Sequence, residues 1–198
     1  MSENEYITKA MKLLNRVKSL VNETDWISVS DSDGIKLESK EYSDICPIPC
    51  YRVNGIVPKS TEELIDIVWN VTEKSNKEED PDILEWKIVE SGDNWRICSQ
   101  INKMQWPLWS REVVFSQVKI IEPNTSWLLS FSVDHDKVPE DDSKYVRAIV
   151  HMNVFRFEKV GNNTRVWKFS HIDPSGYIPV AVINLYASKL IQVVKKWQ

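Results

Sequence analysis

The side chains best suited to metal binding or nucleophilic catalysis in this chain are three cysteines and three histidines. Cys46 and Cys50 are separated by Pro-Ile-Pro, and no second pair of ligands follows them at the spacing of a zinc site. Cys98, His151 and Asp173 have the types of a nucleophile, a base and an orienting acid, but nothing in their spacing indicates a catalytic group. The chain also lacks a nucleophile elbow, a phosphate-binding loop and a glycine-rich dinucleotide turn. We therefore expect no catalytic centre, no metal site and no cofactor.

The composition is that of one globular domain. The chain has 198 residues, of which 42% are hydrophobic and 27% are charged. Its formal net charge is −4 and it has no basic stripe, which argues against a nucleic-acid partner. Nine tryptophans are unusual at this length, and such rings either fill a packed core or lie at a membrane interface. The composition therefore favours a well-packed or lipid-handling protein.

The beginning of the chain does not resemble an export signal. Residues 1–18 start with acidic side chains, and their apolar residues are spaced rather than consecutive. No stretch of the sequence approaches the ~18 consecutive apolar residues of a membrane span. An odd number of cysteines outside an export context favours free thiols in a reducing compartment. These features predict a cytoplasmic protein.

Residues 164–197 carry the strongest local pattern. Residues 164–172 are rich in β-branched and aromatic side chains, as strands are, and residues 173–176 read Asp-Pro-Ser-Gly, a turn. From 178 to 197 apolar residues recur at steps of three and four, which predicts a helix about 30 Å long. So broad an apolar stripe must be covered by the rest of the chain. The stripe comprises Val182, Ile183, Leu185, Tyr186, Ala187, Leu190, Val194 and Trp197.

The remaining pattern predicts a single α+β domain over residues 1–198. Ser60 and Glu63 have the spacing of a capping box before a short helix. Residues 74–80 are predicted to be an exposed connector and residues 80–84 a single helical turn. We expect a curved antiparallel sheet of about nine strands that wraps a long C-terminal helix. The predicted strands span 26–30, 35–39, 51–57, 87–91, 95–101, 113–121, 127–133, 145–157 and 165–172, after a first helix over 3–21.

Two segments carry a family resemblance. Residues 107–112 read Pro-Leu-Trp-Ser-Arg-Glu before an apolar strand, and residues 173–179 read Asp-Pro-Ser-Gly-Tyr-Ile-Pro before the last helix. With the following Asn184, they resemble motifs of the START family of lipid transfer domains, which usually has Asp where this chain has Glu112. The resemblance covers nearly the whole chain. It implies a helix-grip fold, in which the sheet and the C-terminal helix enclose a tunnel for one lipid.

The resemblance also implies which side chains line the tunnel. If Arg111 faces the tunnel, alternation along the strand places Val113, Phe115 and Gln117 there too. The family's buried carboxylate–arginine pair would fall on Cys98 and Gln117, so we do not carry that charged pair over. Any polar group in the tunnel must be paired or bound to ligand, because burying it alone costs about a few kcal/mol. The polar candidates are Arg96, Gln100, Arg147 and His151, and the further apolar candidates are Phe131, Ile149, Trp167, Phe169, Val182 and Leu185.

The loop over residues 104–109 is a candidate gate at the tunnel mouth. Its two tryptophans and one leucine are costly to expose, so it either packs on the C-terminal helix or contacts a bilayer. Both contacts can hold in turn if the loop opens and closes. The membrane-contact or gate candidates are Trp106, Leu108, Trp109, Tyr177 and Ile178.

These features together predict a protein that binds one lipid in an internal hydrophobic tunnel and transfers it between membranes. We expect transient contact with a membrane surface, no obligate protein partner, and no need for more than a monomer. The lipid class stays open among sterol, phospholipid, sphingolipid and fatty acid. One alternative is a sensor that reports a hydrophobic ligand to a protein partner, and another is an enzyme of the wider helix-grip superfamily.

Overall fold

The computed structural model of the chain describes residues 3–198. Within these residues no helix is both long and apolar enough to cross a membrane. The helices are α1 (Glu3–Asn22), α2 (Thr61–Trp69), α3 (Glu73–Glu79) and α4 (Val180–Lys195). The strands are β1 (Ile27–Ser32), β2 (Ile35–Lys40), β3 (Cys50–Val57), β4 (Ile83–Ser91), β5 (Trp95–Asn102), β6 (Arg111–Glu122), β7 (Thr125–Ser132), β8 (Val146–Arg147), β9 (Ile149–Val160) and β10 (Asn163–Asp173).

These strands form one sheet, which confirms the predicted α+β fold. Their order is β1-β2-β3-β10-β9-β7-β6-β5-β4, and neighbouring strands along it are antiparallel. The short strand β8 lies off this path and pairs in parallel with the start of β6. The sheet has one strand more than expected because the predicted strand over 145–157 is interrupted at Ala148.

The sheet is covered on both faces, and the two faces have separate cores. We call the side covered by α1 the α1 face and the side covered by α2 and α4 the α4 face. Burial of each large apolar side chain contributes about 1.5–3 kcal/mol, so both layers hold the sheet in place. The α1-face core includes Tyr6, Leu14, Val17, Ile97, Val114, Val118, Trp127, Leu129, Met152, Val154 and Phe169. The α4-face core includes Leu37, Val53, Leu64, Val68, Leu128, Phe157, Val166, Leu190 and Val194.

The long helix α4 packs on β3, β2 and β10. Its buried stripe follows the predicted spacing and consists of Ala187 and Leu190, then Val194, with Trp197 just beyond the helix. The helix comes so close to the sheet that a Cβ added to Gly55 would lie 3.1 Å from Cγ1 of Val194. This contact fixes the C-terminal half of α4 on the sheet.

The segment between α2 and β4 differs from the prediction. The capping box is confirmed, because the Ser60 hydroxyl accepts from the amide of Glu63 at 3.1 Å. The predicted connector is a helix, α3, whose start is capped in the same way by Thr72. It has no apolar stripe to reveal it because none of its residues is buried. The predicted helical turn over 80–84 is a tight turn that ends at Ile83, where β4 begins.

Candidate functional site

The two faces of the central strands differ in how completely their side chains are covered. On β9, Met152 and Val154 point to the α1 face and are 0% exposed. Asn153 and Phe155 alternate with them and point to the α4 face, yet they stay partly exposed. The covering helices therefore leave accessible space over this part of the α4 face. We call this space the hollow; its partly exposed border includes Gln100, Gln117, Lys119, Asn153, Phe155 and Tyr186.

A row of polar side chains crosses the α4 face at one level. Strand pairing puts Arg96 opposite Gln117, then Ser130, Asn153 and Ser170 in sequence across β5, β6, β7, β9 and β10. Arg96 Nε donates to Gln117 Oε1 at 2.7 Å, and Gln117 Nε2 donates to Ser130 Oγ at 3.4 Å. Among the residues described, Oδ1 of Asn153 is buried without a hydrogen-bond partner. The polar row therefore has one hydrogen-bond acceptor without a donor in the middle of the sheet.

The other end of the polar row is closed from above by α4. The hydroxyls of Ser170 and Tyr186 lie 2.6 Å apart, so one of them donates to the other. Burial raises the pKa of Tyr186 to about 12, which keeps its hydroxyl protonated at neutral pH. Two hydroxyls that share one hydrogen bond leave a second O–H free to donate. This pair offers a donor at the hollow.

Arg96, a predicted tunnel residue, serves mainly to fix α2. Its guanidinium donates to the carbonyl oxygen of Trp69 at 2.6 Å, at the end of α2 where carbonyls lack helical partners. The same group lies over the rings of Trp69 and Trp86, 4.4 and 5.3 Å from their centroids. Burial lowers the pKa of Arg96. Only its Nε, through Gln117, continues into the polar row.

Four other predicted residues share the α4 face with Gln117. Val113 and Phe115 are each 8% exposed, and they form one cluster with Cys98 and Trp86. Cys98 donates to Gln117 Oε1 at 3.8 Å, and burial raises the pKa of its thiol to about 12. Gln100 lies on the same face and donates to Asn102 Oδ1 at 2.8 Å. The alternation inferred from Arg111 therefore holds along β5 and β6.

The alternation inferred for β7 and β10 is wrong. Phe131, Trp167 and Phe169 all belong to the core of the α1 face. The strand register gives the reason, because Phe131 is opposite Ser116 and Phe169 is opposite Val154, on the side away from Phe115. The α4 face of β10 instead carries Val166, Lys168 and Ser170.

Five further candidates also lie outside the hollow or at its edge. Arg147 pairs with Glu112 at 2.8 Å on the α1 face, and the ring of His151 lies 5.3 Å from that of His171. A bulge in β9 opposite residues 171 and 172 turns His151 to that side. Ile149 is 42% exposed at the start of its strand, and Leu185 is 53% exposed on the outer side of α4. Val182 is partly buried in the first turn of α4.

Lys168 is one of the residues at this site that the sequence prediction missed, as it did Ser130, Asn153, Phe155, Ser170 and Tyr186. It is 6% exposed on the α4 face, with Nζ 3.8 Å from the ring centroid of Phe155. Within residues 3–198 it has neither a hydrogen-bond acceptor nor a carboxylate partner. Burial, with a smaller effect of Lys196, lowers its pKa to about 7. The misassigned alternation of Trp167 and Phe169 concealed it, since it placed Lys168 on the other face.

The two loops at one end of the hollow are joined by Arg111. Its guanidinium donates to the carbonyl oxygens of Pro174 at 2.7 Å and Ser175 at 3.0 Å, and to that of Trp109. These carbonyls belong to the loop before α4 and to the β5–β6 loop. We call this set of hydrogen bonds the latch. Its strength comes from a cation that is only 6% exposed.

Large apolar rings stand exposed beside the latch. Trp106 is 92% exposed, Tyr177 is 83% exposed and Trp109 is 54% exposed. Leu108 and Ile178 are partly buried beneath them. The loop over 104–109 therefore leaves Trp106 in solvent instead of packing it on α4. We call Trp106, Trp109 and Tyr177 the rim.

A separate group of metal-ligating side chains lies away from the hollow. Ligand atoms of Cys46, His151 and Asp173 are all within 4.8 Å of one another, which is a donor set that Zn²⁺ accepts. The Cys46 sulfur is also 3.4 Å from Nε2 of His171 and accepts from the amide of Ile48 at 3.3 Å. Burial raises the pKa of the Cys46 thiol and lowers those of both histidines. The Cys46 thiol and the ring of His171, which also lies 3.1 Å from the carbonyl oxygen of Ile48, form a hydrogen-bonded group that ties the β2–β3 loop to the sheet.

A family model matches the sequence of this chain, and solved structures match its fold. The structure is similar to human StAR-related lipid transfer protein 5, with a TM-score of 0.79 and 18% identity over 96% of this chain and 93% of that one. It is also similar to human STARD10 (TM-score 0.79, 16% identity, 94% of this chain and 76% of that one). The lipid transfer and protein localization domain of human StarD13 gives a TM-score of 0.72 at 21% identity, over 94% of this chain and 96% of that one. No curated protein matches the sequence. The family model of the START domain matches residues 6–198, and the chain therefore belongs to the START domain family.

Proposed function

We propose that this chain binds one lipid in the hollow and transfers it between membranes, with transient contact from the cytoplasmic side. The observation that carries the proposal is the partial exposure of Asn153 and Phe155 in the middle of a covered sheet. A lipid in water exposes its chains at about 25 cal/mol per Å², which is several kcal/mol for a whole molecule. Apolar contact in the hollow would replace that exposure during transit. Membership of the START family and the lipid transfer names of its structural relatives support this function.

The latch and the rim supply a route by which a lipid could enter. Opening the hollow beside α4 requires the loop before α4 to separate from the β5–β6 loop, and the Arg111 hydrogen bonds join these loops. The exposed rim rings are of the kind that partition into a membrane interface. In our proposal the rim enters the bilayer surface, the latch opens, and the lipid passes between the loops.

Native mass spectrometry after exposure of the protein to a mixed lipid extract tests the binding step. The expected result is a one-to-one lipid adduct whose mass also names the lipid class. In Asn153→Trp, the introduced indole ring should fill the hollow and abolish the lipid adduct. In the control Lys87→Trp, the ring lies on the exposed side of β4 and the adduct should persist. Failure of the folded wild-type protein to retain any lipid would overturn the proposal. Transfer of a fluorescent lipid between vesicles then tests the second step.

A further inference from the structure

Buried charges are segregated between the two faces of the sheet. In the described part of the chain the buried carboxylates are Glu38 and Glu112, and both lie on the α1 face. Each is paired with an arginine there, Glu38 with Arg52 at 2.5 Å and Glu112 with Arg147 at 2.8 Å. The α4 face instead carries the buried cations Arg96, Arg111 and Lys168 and the partly exposed Lys119. In a chain of net charge −4, this gives the hollow a positive lining without an opposing buried acid.

Three of these four cations are already engaged, since Arg111 forms the latch. Arg96 binds the end of α2 and Gln117, and Lys119 lies over the ring of Trp69 at 4.7 Å from its centroid. Lys168 is different, because the only described contact of its ammonium group is with the ring of Phe155, which attracts a cation weakly. A buried ammonium without a carboxylate costs several kcal/mol, and a fold tolerates that cost most readily where a ligand supplies the missing charge.

Among the residues that the structure describes, the strands and the helix packed against Lys168 place no carboxylate opposite its ammonium group. The inner positions of β3 and β9 opposite Lys168 are Val53 and Phe155. The helix α4 has no acidic residue at all. Lys189 on this helix pairs with Asp80 and Asp82, and Lys196, just beyond its end, pairs with Glu79. The charged group whose effect on the pKa of Lys168 is resolved, Lys196, is itself positive.

We propose that Lys168 is the anchor for the polar end of the bound lipid, and that this end carries a net negative charge as a carboxylate or a phosphate. The inference rests on the function proposed above and specifies the ligand class. It distinguishes the cargo of this chain from neutral lipids such as sterols and diacylglycerols.

The neighbours of Lys168 on the polar row complete an anion site. Ser170 lies two residues along the same face of β10, and its hydroxyl pairs with that of Tyr186. The free O–H of this pair can donate to an anionic oxygen next to the ammonium. Asn153 is opposite Ser170 and adds an amide whose Oδ1 is buried and unpartnered in the described structure. Lys168, the Ser170–Tyr186 hydroxyl pair and Asn153 therefore lie at neighbouring positions on the same face of the sheet. Together they offer an ammonium, a hydroxyl and an amide to a carboxylate or phosphate.

The protonation of Lys168 is suited to such a ligand. Burial places its pKa near 7, so the amine is partly neutral when no anion is bound. A nearby anion stabilises the ammonium and draws a proton from solvent. The empty site thus carries less buried charge than a fixed cation would, and the filled site is a neutral ion pair.

Competition between matched charged and neutral lipids tests the proposal. Wild type, Lys168→Met and the control Lys87→Met are each incubated with phosphatidylcholine vesicles that contain two lipid pairs in equal amounts. One pair is phosphatidic acid and diacylglycerol with the same acyl chains, and the other is oleic acid and oleyl alcohol. The protein is separated from the vesicles and its bound lipid is quantified by mass spectrometry. Wild type and Lys87→Met should favour the charged member of at least one pair by about tenfold or more, and Lys168→Met should lose that preference.

The outcomes separate this proposal from the proposed function. Equal uptake of charged and neutral members by wild type would overturn the anion site while leaving lipid binding intact, as would a preference that persists in Lys168→Met. No lipid of any kind on folded wild type would overturn both. The wild-type preference decides the matter even if the variant folds poorly. Inorganic phosphate identifies the source of the anion. If phosphate raises the melting temperature of lipid-free wild type but not of Lys168→Met, and wild type shows no preference for the charged lipids, the site binds a free anion and the lipid assignment is overturned.

Discussion

Replacing Lys168 by methionine should stabilise the protein and remove much of the pH dependence of its stability. Methionine has a similar length and no charge, so it keeps the packing against Phe155 and removes the buried amine. The pKa of Lys168 falls from 10.5 to about 7 on folding because of burial. That difference corresponds to about 5 kcal/mol lost at pH values where both folded and unfolded chains are protonated.

The sign follows from proton binding. Between about pH 7 and about pH 10.5 the unfolded chain holds the lysine proton and the folded chain has released it. The free energy of unfolding of wild type should therefore rise with pH in this window. The rise due to Lys168 alone is about 2 kcal/mol between about pH 6.5 and about pH 8.5. Above that range the buried thiols act in the opposite direction, because the pKa values of Cys50 and Cys98 are raised to about 12.

The measurement is urea unfolding, followed by tryptophan fluorescence, of wild type and Lys168→Met at both pH values. The His151 and His171 contributions are common to both proteins, so they cancel in the difference between them. The variant should be more stable than wild type by several kcal/mol at the lower pH and by about 2 kcal/mol less than that at the higher pH. Equal pH dependence in the two proteins would show that Lys168 is not a buried, unpaired amine, and the reasoning about the hollow would fail with it.

Three further predictions follow from the latch, the rim and the α1 face. Trp106→Ala should slow vesicle-to-vesicle transfer by roughly tenfold, which corresponds to about 1.4 kcal/mol of lost membrane contact, without changing the melting temperature. The control Ile121→Ala, which also truncates an exposed apolar side chain, should leave the transfer rate unchanged. Equal effects of the two variants would refute a specific role of the rim. Arg111→Lys should lose at least one of the latch hydrogen bonds, so the amide hydrogens of residues 175–178 should exchange faster while those of β9 stay protected. Unaltered exchange would refute the latch. Glu38→Gln should lower the free energy of unfolding in urea by about 3 kcal/mol because it leaves Arg52 buried with no carboxylate. For the same reason the stability of wild type should fall as the pH drops toward the lowered pKa of Glu38. An equal loss of stability at low pH in the variant would contradict this.

Elements that carry a local sequence pattern, such as a capping box or an apolar stripe along one side of a helix, could be predicted from the sequence. The capping box at Ser60 depends on two side chains three residues apart, and the stripe from Ala187 to Trp197 depends on helical spacing. Both are local regularities, which tertiary contacts then used without changing them. The alternation along β6 was also predictable, because Arg111 gave one reference point on the strand. The missed helix α3 shows the converse, since a helix that buries nothing leaves no apolar pattern.

The candidate site was less predictable because the central strands are buried on both faces. On β10, Trp167 and Phe169 are apolar and Lys168 is charged, so alternation alone places the lysine in solvent. Only pairing with β9 shows that the two rings face α1 and the lysine faces the hollow. The bulge in β9 likewise moved His151 to the α1 face and beside Cys46 and Asp173. No single-strand pattern contains that information, because shifting the register of a strand by one residue exchanges its faces.

The sequence by itself determined that a mainly antiparallel sheet would hold a long apolar helix, and its two loop motifs indicated the START family. These properties are written in short-range spacing and composition, which act through local backbone preferences and burial. The tertiary structure alone decided which charges face the hollow, which carbonyls Arg111 joins and where Lys168 lies. Those features depend on strand register across the sheet, and register is set by the simultaneous packing of both faces rather than by any one segment.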